Sequence, residues 1–588
     1  MNHIGQHHTL RHKCRVGRGL TAGALAASLF IAACSSSSKS VTPATSGATT
    51  TSAAATATTA APTGGSTAGT TAGTTGGTTA GTTAGTTGTT TPAKVSDKAL
   101  VIDRSMDINS LDPSVAYCDT CQIFLTAVYE TLIGLDSDNK TLVPRLALKW
   151  ESNTDQTEFT FHLNPKATFA DGSPVTSADV KFSWERLKGL KGAASYLVAT
   201  VKTIDTPDPE TVKVTMSQPN SAFLAQVNAS YLGIINMKAA VAQGATTDAT
   251  TDKAGTWFQS NSAGSGPYTL ESYQSGDSLK FKANDKYWGS PPTFPEVIMQ
   301  QTDSAVTQRQ QLESGDADIA MQISADVAKD MTSSDTVVKK VPSFNYVYLA
   351  LSPGAKGGDK LTPKVREAIR DALDYQGLID VTVSGAGLPQ PSPIPNGFAG
   401  TEGLDPPKQD LAKAKQLMAD AGVGNITLDA TFPTLNVYGV DFSTAMQKVQ
   451  TDLKAIGITL TLTPLELSVW ATKIGSDGIP VTMLYFAPDH TDSSQYVQYF
   501  GLVPDSQWTT WTKQPVVKNE TDLLNQAFAA QDATKRADLY NQLAKAMIAD
   551  QVIIPVVNPN LFLASRSDIK GMHYSACCNL DLAKLSRG

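Results

Sequence analysis

The chain has 588 residues, 41% hydrophobic and 17% charged, with a formal charge of −7. Four of its cations, Arg11, Lys13, Arg15 and Arg18, precede residue 34 with no acid among them, so the remainder carries −11. An acidic body without a basic cluster argues against nucleic-acid binding and against wide contact with anionic lipid. Its length leaves room for more than one hydrophobic core.

In chain order, the four cations lead into an apolar run of 14 residues, Leu20 to Ala33. A basic start, a short apolar stretch and small residues before a cut site predict an export signal over 1–33. The run is shorter than the ~20 residues of a membrane span. Ile31-Ala32-Ala33-Cys34 resembles a bacterial lipobox, which implies cleavage before Cys34 and a lipid on its thiol. An ordinary signal with an unmodified cysteine is the alternative. From 34 to 92 the sequence is nearly all Ser, Thr, Ala and Gly, with too little apolar bulk to offset the entropy of ordering. Such a disordered tether has a root-mean-square reach of roughly 40–45 Å, and its threonines with Pro43, Pro62 and Pro92 suit O-glycosylation.

The body after the tether keeps four cysteines, Cys118, Cys121, Cys577 and Cys578. Outside the cytoplasm these read first as disulfides. The 118/121 pair could bridge to the 577/578 pair and pin the C-terminus, or each pair could close locally. Redox chemistry and a four-thiolate zinc site are the remaining alternatives. Alternation at Phe159, Phe161 and Leu163 predicts a half-buried strand, followed by a turn at Asp171-Gly172. Thr176 and Asp179 form a variant capping box that opens a helix through Leu187. Thr362-Pro363 starts a second helix, with a core stripe of Val365, Ile369 and Leu373. Met446, Val449, Leu453 and Ile456 predict a third, stopped by Gly457, with a strand at Ile458, Leu460 and Leu462. The succession of helix, glycine and strand indicates an α/β fold.

Catalytic motifs are scarce. After the tether three histidines remain, His162, His490 and His573, far apart in sequence. No nucleophile elbow, phosphate loop, zinc-helix motif or dinucleotide fingerprint occurs. Gly264-Ser265-Gly266-Pro267 reads as a turn, and the spaced acids from Asp136 to Lys140 as a polar hairpin tip. The balance favours binding over catalysis, with no cofactor.

An ordered series of motifs then carries a family resemblance. It runs from Ser110-Leu111-Asp112-Pro113 through Tyr129-Glu130-Thr131-Leu132, Leu142-Val143-Pro144-Arg145, Phe159-Thr160-Phe161-His162-Leu163, Phe169-Ala170-Asp171-Gly172 and Ala178-Asp179-Val180. It continues with Gly264-Ser265-Gly266-Pro267-Tyr268, Asn284, Tyr287-Trp288-Gly289 and Val365-Arg366-Glu367-Ala368-Ile369. The body resembles the extracellular solute-binding protein family 5 of ABC importers, a class that includes dipeptide, oligopeptide and nickel receptors. The resemblance implies a two-lobe, periplasmic-binding-protein-like α/β fold with a hinge and an extra subdomain in the first lobe. The first lobe is expected over 93–350, the second over 351–553, with 554–588 returning to the first. It also implies a monomeric, non-catalytic receptor at the outer face of the membrane. Its expected partners are a peptide ligand and an ABC permease with cytoplasmic ATPases.

By the same resemblance, Tyr485-Phe486-Ala487-Pro488-Asp489 lies where peptide-binding relatives carry an aromatic residue and an aspartate for the peptide α-ammonium. Phe486 takes the aromatic position and Asp489 the anchoring one, since a charge-assisted hydrogen bond in a closed cleft is a strong one. The backbone near Tyr485 could pair with an extended peptide. Tyr117, Phe344, Tyr346 and Trp470 are candidate aromatic walls. No arginine occurs between Arg370 and Arg536, so Lys448 or Lys473 would have to hold a ligand carboxylate, which favours longer peptides. His490 beside Asp489 keeps a nickel or other metal chelate open. A secreted hydrolase, a redox lipoprotein and a sensory receptor are the other readings.

Overall fold

The computed structural model describes residues 98–588; the predicted signal, Cys34 and the whole tether lie outside them. Two large sheets organise the chain. The first has seven strands, in the order Thr336–Val341, Leu561–Arg566, Ile319–Ala320, Leu100–Arg104, Glu296–Gln301, Ser278–Ala283 and Tyr268–Gln274. Leu100–Arg104 runs parallel to both of its neighbours. The second has six, in the order Gly387–Leu388, Ile553–Pro559, Tyr346–Leu351, Val481–Phe486, Ile426–Pro433 and Ile458–Leu465. A separate antiparallel sheet of four strands lies between residues 147 and 216.

The local signals in the sequence form as their chemistry requires. Glu158–Leu163 is a strand that buries Phe159, Phe161 and Leu163. The helix Ser177–Leu190 opens on a reciprocal cap, with the Thr176 amide and hydroxyl both donating to Asp179 at 2.9 and 2.6 Å. Pro363–Ala372 begins with its proline in the first turn and Thr362 as cap. Phe442–Lys454 buries Met446, Val449 and Leu453, and Gly457 turns the chain at φ +84°. This helix is the crossover between Ile426–Pro433 and Ile458–Leu465, which pair in parallel over eight residues. Parallel neighbours need such a crossover because a tight turn cannot join them.

The chain passes between the large sheets twice, after Val341 and again between Pro559 and Leu561. The expected boundaries at 350/351 and 553/554 therefore shift. Tyr346–Leu351 and Ile553–Pro559 are buried along their whole length and pair with each other at the centre of the second sheet. Tyr346–Leu351 is a continuous run of aromatic and aliphatic residues, so nothing within it marks which side of a boundary it belongs to.

Several of the resemblance motifs meet in one buried polar knot. Glu130 accepts from Ser265 Oγ at 3.0 Å, Tyr287 OH at 2.9 Å and Trp288 Nε1 at 2.8 Å, with Arg145 Nε 3.6 Å away. A Cβ on Gly264 would lie 1.9 Å from the Val128 carbonyl oxygen, so only glycine permits this approach. A second knot joins Asp112 to Arg186 through two bonds of 2.6 Å, and Arg186 to Asp252 at 2.8 and 3.0 Å. These motif residues hold the architecture together, and the first knot fixes the C-terminal end of the helix Asp119–Val128.

Cys118 and Cys121 are bonded to each other at the start of that helix. The expected bridge between the two cysteine pairs is thus not formed: Cys577 and Cys578 are buried free thiols. A spacing of three residues at a helix start brings the Cys118 and Cys121 Cα atoms to 5.0 Å, within ordinary bridging range. Among the described residues no group of three or more His, Cys, Asp or Glu is placed to hold a metal ion.

Candidate ligand-binding site

The strand Val481–Phe486 in the second sheet ends in a loop that carries Asp489 and His490. Gln495, at the start of the helix Ser494–Phe500, shapes this loop. Its Oε1 accepts the Asp489 amide at 2.7 Å and its Nε2 donates to the carbonyls of His490 and Asp492. The Asp489 carboxylate is 2% exposed and reaches residues from the other side of the molecule. Tyr117 OH donates to it at 2.9 Å, Tyr196 OH donates to the same oxygen, and Gln122 Nε2 approaches the other at 3.3 Å.

All of these partners are neutral. Burial pushes the Asp489 carboxyl up to about 7, and the bonds from Tyr196, Tyr117 and Gln122 offset only part of that rise. Desolvation penalises a carboxylate when no charge of opposite sign faces it. Burial, then the Asp489 charge, raises the phenols of Tyr117 and Tyr196, which keeps both as donors.

A second set of polar contacts crosses beside the first. Tyr485 OH donates to Asp107 at 2.8 Å, Tyr438 OH donates to Asp119, and the two rings pack edge to face at 5.7 Å. Asp107 also accepts the amides of Asp119 and Thr120 at 2.9 and 2.8 Å, where the helix dipole favours an anion. Burial alone would raise Asp107, but Arg104 and the bonds from Thr120 and Tyr485 outweigh it and hold it below the usual range. Asp119 is pushed up to about 7 by burial and the Asp107 charge, against Arg104 at 3.9 Å and the Tyr438 bond.

The structure sorts the predicted residues by the alternation of strands. Tyr485 faces Asp107, whereas Phe486, the next residue, turns into the second core against Tyr346, Tyr496, Tyr499 and Phe500. Tyr117 lines the site, stacked on Tyr499 at 5.9 Å and tilted on Tyr231 at 5.1 Å. Phe344 lies at the first chain crossing, packed on Phe398 and Tyr574, and with Tyr117 touches both cores. Tyr346 and Trp470 are not walls. Tyr346 is wholly buried with its hydroxyl on the Pro393 carbonyl, and Trp470 donates to Thr482 and packs on Trp511. The lysines considered for a ligand carboxylate are engaged elsewhere: Lys448 binds Asp374 and Asp452, and Lys473 binds Thr431. His490 is neutral and buried. Its Nδ1 accepts the Asp492 amide at 3.1 Å, and burial lowers it to about 4 despite Asp492 nearby.

Sequence reasoning missed Asp107, Asp119, Gln122, Tyr196, Tyr438 and Tyr499. Asp119 and Gln122 share a helix face one turn apart, and Gln495 and Tyr499 share another. Those spacings were available, but nothing local says that either face looks into the site.

Comparison with known proteins identifies the family and the fold. Residues 141–508 match the family described as bacterial extracellular solute-binding proteins, family 5. A probable D,D-dipeptide-binding periplasmic protein, DdpA, from Escherichia coli K12 is 30% identical over 493 residues, covering 82% of this chain and 93% of its own. The binding protein AgaA of A. tumefaciens, solved with agropinic acid, superposes with a TM-score of 0.74 at 23% identity, covering 84% and 99% of the two chains. DppA from Helicobacter pylori, solved with the peptide STSA, gives 0.74 at 20% identity, covering 83% and 98%.

Proposed function

Because the chain belongs to the bacterial extracellular solute-binding proteins of family 5, we propose that it is the oligopeptide receptor of an ABC importer. In this reading it binds peptides through their free amino terminus and passes them to a membrane permease driven by cytoplasmic ATPases. Its relatives are non-catalytic solute receptors, and no covalent step is needed here. The two large sheets are the cores of two lobes, joined by the crossings at 342–345 and at Asn560. Ligand contacts both lobes only in the closed form, so binding shifts the population toward closure. Cys34 carries the lipid and 34–92 is the leash, which places the receptor on the outer face of the cell membrane.

The observation that carries the peptide reading is Asp489, a buried carboxylate whose hydrogen-bond partners are all neutral and all come from the opposite side of the cleft. A peptide ammonium supplies the missing positive charge. Support also comes from relatives described as binding D,D-dipeptides and dipeptides. The test is calorimetry with trialanine and N-acetyl-trialanine, beside native mass spectrometry of ligand retained from the host. Binding of the free peptide at least about 100-fold tighter than the acetylated one is expected, near the ~3 kcal/mol upper range of a hydrogen bond to a charged group. Equal affinities, or release of a metal chelate or sugar, would remove the peptide assignment. Loss of lipid labelling in Cys34→Ala tests the anchor.

A further inference from the structure

The C-terminal cysteines stand apart from the ligand contacts and yet connect to them. Cys577 and Cys578 place their thiols 3.2 Å apart, with Ser575 Oγ 3.3 Å from Cys577. They occupy a turn closed by Ser575 and Asn579, whose amides donate to each other's carbonyls at 3.1 and 2.8 Å. Asn579 sits at φ +58°, so the turn sets its direction. From there Asn579 Nδ2 donates to Gln122 Oε1 at 2.9 Å, and Gln122 Nε2 donates to the Pro488 carbonyl at 3.1 Å and to Asp489 at 3.3 Å. A chain of two amides thus runs from the thiol turn to Asp489. The hairpin tip covers the turn, with Asn139 bonded to the Ala576 amide and the Tyr574 carbonyl.

We propose that Cys577 and Cys578 are an oxidisable pair whose closure to a vicinal disulfide resets the Asn579–Gln122 hydrogen bonds that position Asp489. Adjacent Cα atoms are ~3.8 Å apart, closer than the ~4.4–6.8 Å that disulfides usually span. The peptide between the two cysteines must therefore reorient when the bond forms, and the turn that aims Asn579 moves with it. The oxidant is a protein or low-mass disulfide of the extracytoplasmic space. Cys577, 8% exposed against 1% for Cys578, attacks it as a thiolate and expels one thiolate. Cys578 then loses its proton, and its sulfur displaces the second thiolate from Cys577. The pair gives up two electrons and two protons, and the incoming disulfide becomes two thiols. Contact with Cys578, together with Ser575 and Arg145, favours the Cys577 thiolate over the opposing effect of burial.

The idea is independent of the ligand's identity, and so is its test. The full folded protein is equilibrated across glutathione buffers, alkylated and mapped by mass, and hydrogen exchange is followed in 118–128 and 486–495. A two-electron 577–578 couple separate from Cys118–Cys121 is expected. On oxidation, exchange in both segments should rise roughly five- to tenfold, the effect of losing about one hydrogen bond. In Cys578→Ser, checked for folding by circular dichroism with Cys577→Ala as second variant, that rise should vanish while Cys118–Cys121 still titrates. Thiols that stay alkylatable at every poise, a bond from 577 or 578 to 118 or 121, or an exchange change that persists in both variants would overturn the proposal.

Discussion

Asp489 combines nearly full burial with partners that carry no charge, and this fixes the sign of its contribution to stability. Its folded-state value, about 7, lies above the ordinary 3.8, so the folded state holds the proton more tightly than the unfolded chain. Stability from this group is therefore present at low pH and lost as pH rises from near 4 through about 7, by roughly 1.4 kcal/mol per unit over the steep part. Asp119 moves in the same sense. His490, lowered to about 4, moves in the opposite one, losing stability as pH falls from 6.5 through 4. Comparison of wild type with Asp489→Asn isolates the first effect. Between pH 6 and 8 the wild type should lose about 1–2 kcal/mol more than the variant in urea unfolding without ligand. The same variant should bind trialanine about 100-fold or more weakly, because the ammonium loses its charged partner. Parallel pH curves would mean that Asp489 is already ionised in the ligand-free protein.

At the scale of elements, the helix Asp119–Val128 is the part that positions most of the site. Its N-terminus is fixed by the Cys118–Cys121 bond and by Asp107, and its C-terminus by the backbone of Gly264 and Gly266 and the Glu130 knot. Asp119 and Gln122 are aimed by this double fixation. Gly264→Ala should therefore cost about 1–3 kcal/mol, the usual range for overpacking a site that cannot yield, measured as a shift in denaturant midpoint. Because the strain falls at the helix end, ligand affinity should fall together with stability. Unchanged stability would show that the turn can relax away from the Val128 carbonyl.

For the whole molecule, the contacts of Tyr117 and Tyr196 with Asp489, and of Tyr485 and Tyr438 with Asp107 and Asp119, join residues that precede the first chain crossing to residues that lie between the two crossings. Each is a hydrogen bond to an acidic side chain, worth up to ~1.5–3 kcal/mol where the carboxylate is charged. Removing two of them by Tyr117→Phe with Tyr196→Phe should favour an open form. Small-angle scattering of the ligand-free protein should then give a larger radius of gyration than wild type, with saturating trialanine reversing the change. A radius equal to that of wild type would place the closing energy in the Tyr485 and Tyr438 contacts instead.

Much of the fold was legible in the chain because its cause is local. Caps at Thr176 and Thr362, the stripe from Met446 to Leu453 and alternation from Phe159 to Leu163 each involve neighbours within a few residues, and all formed. The ordered motifs fixed the family, and the structure gives them a reason through the Glu130 and Arg186 knots. Asp489 was legible by resemblance, but its environment was not. Gln122 lies 367 residues from Asp489, Tyr117 lies 372 away, and Asn579 reaches Gln122 across 457. Strand alternation separated Tyr485 from Phe486, and burial withdrew Tyr346 and Trp470 from the site. The sequence by itself determined the local elements and the family, since short-range periodicity and motif order are written along the chain. Only the tertiary structure decided which cysteines bond, where the chain crosses and which side chains meet Asp489, because those follow from distances that chain order does not encode.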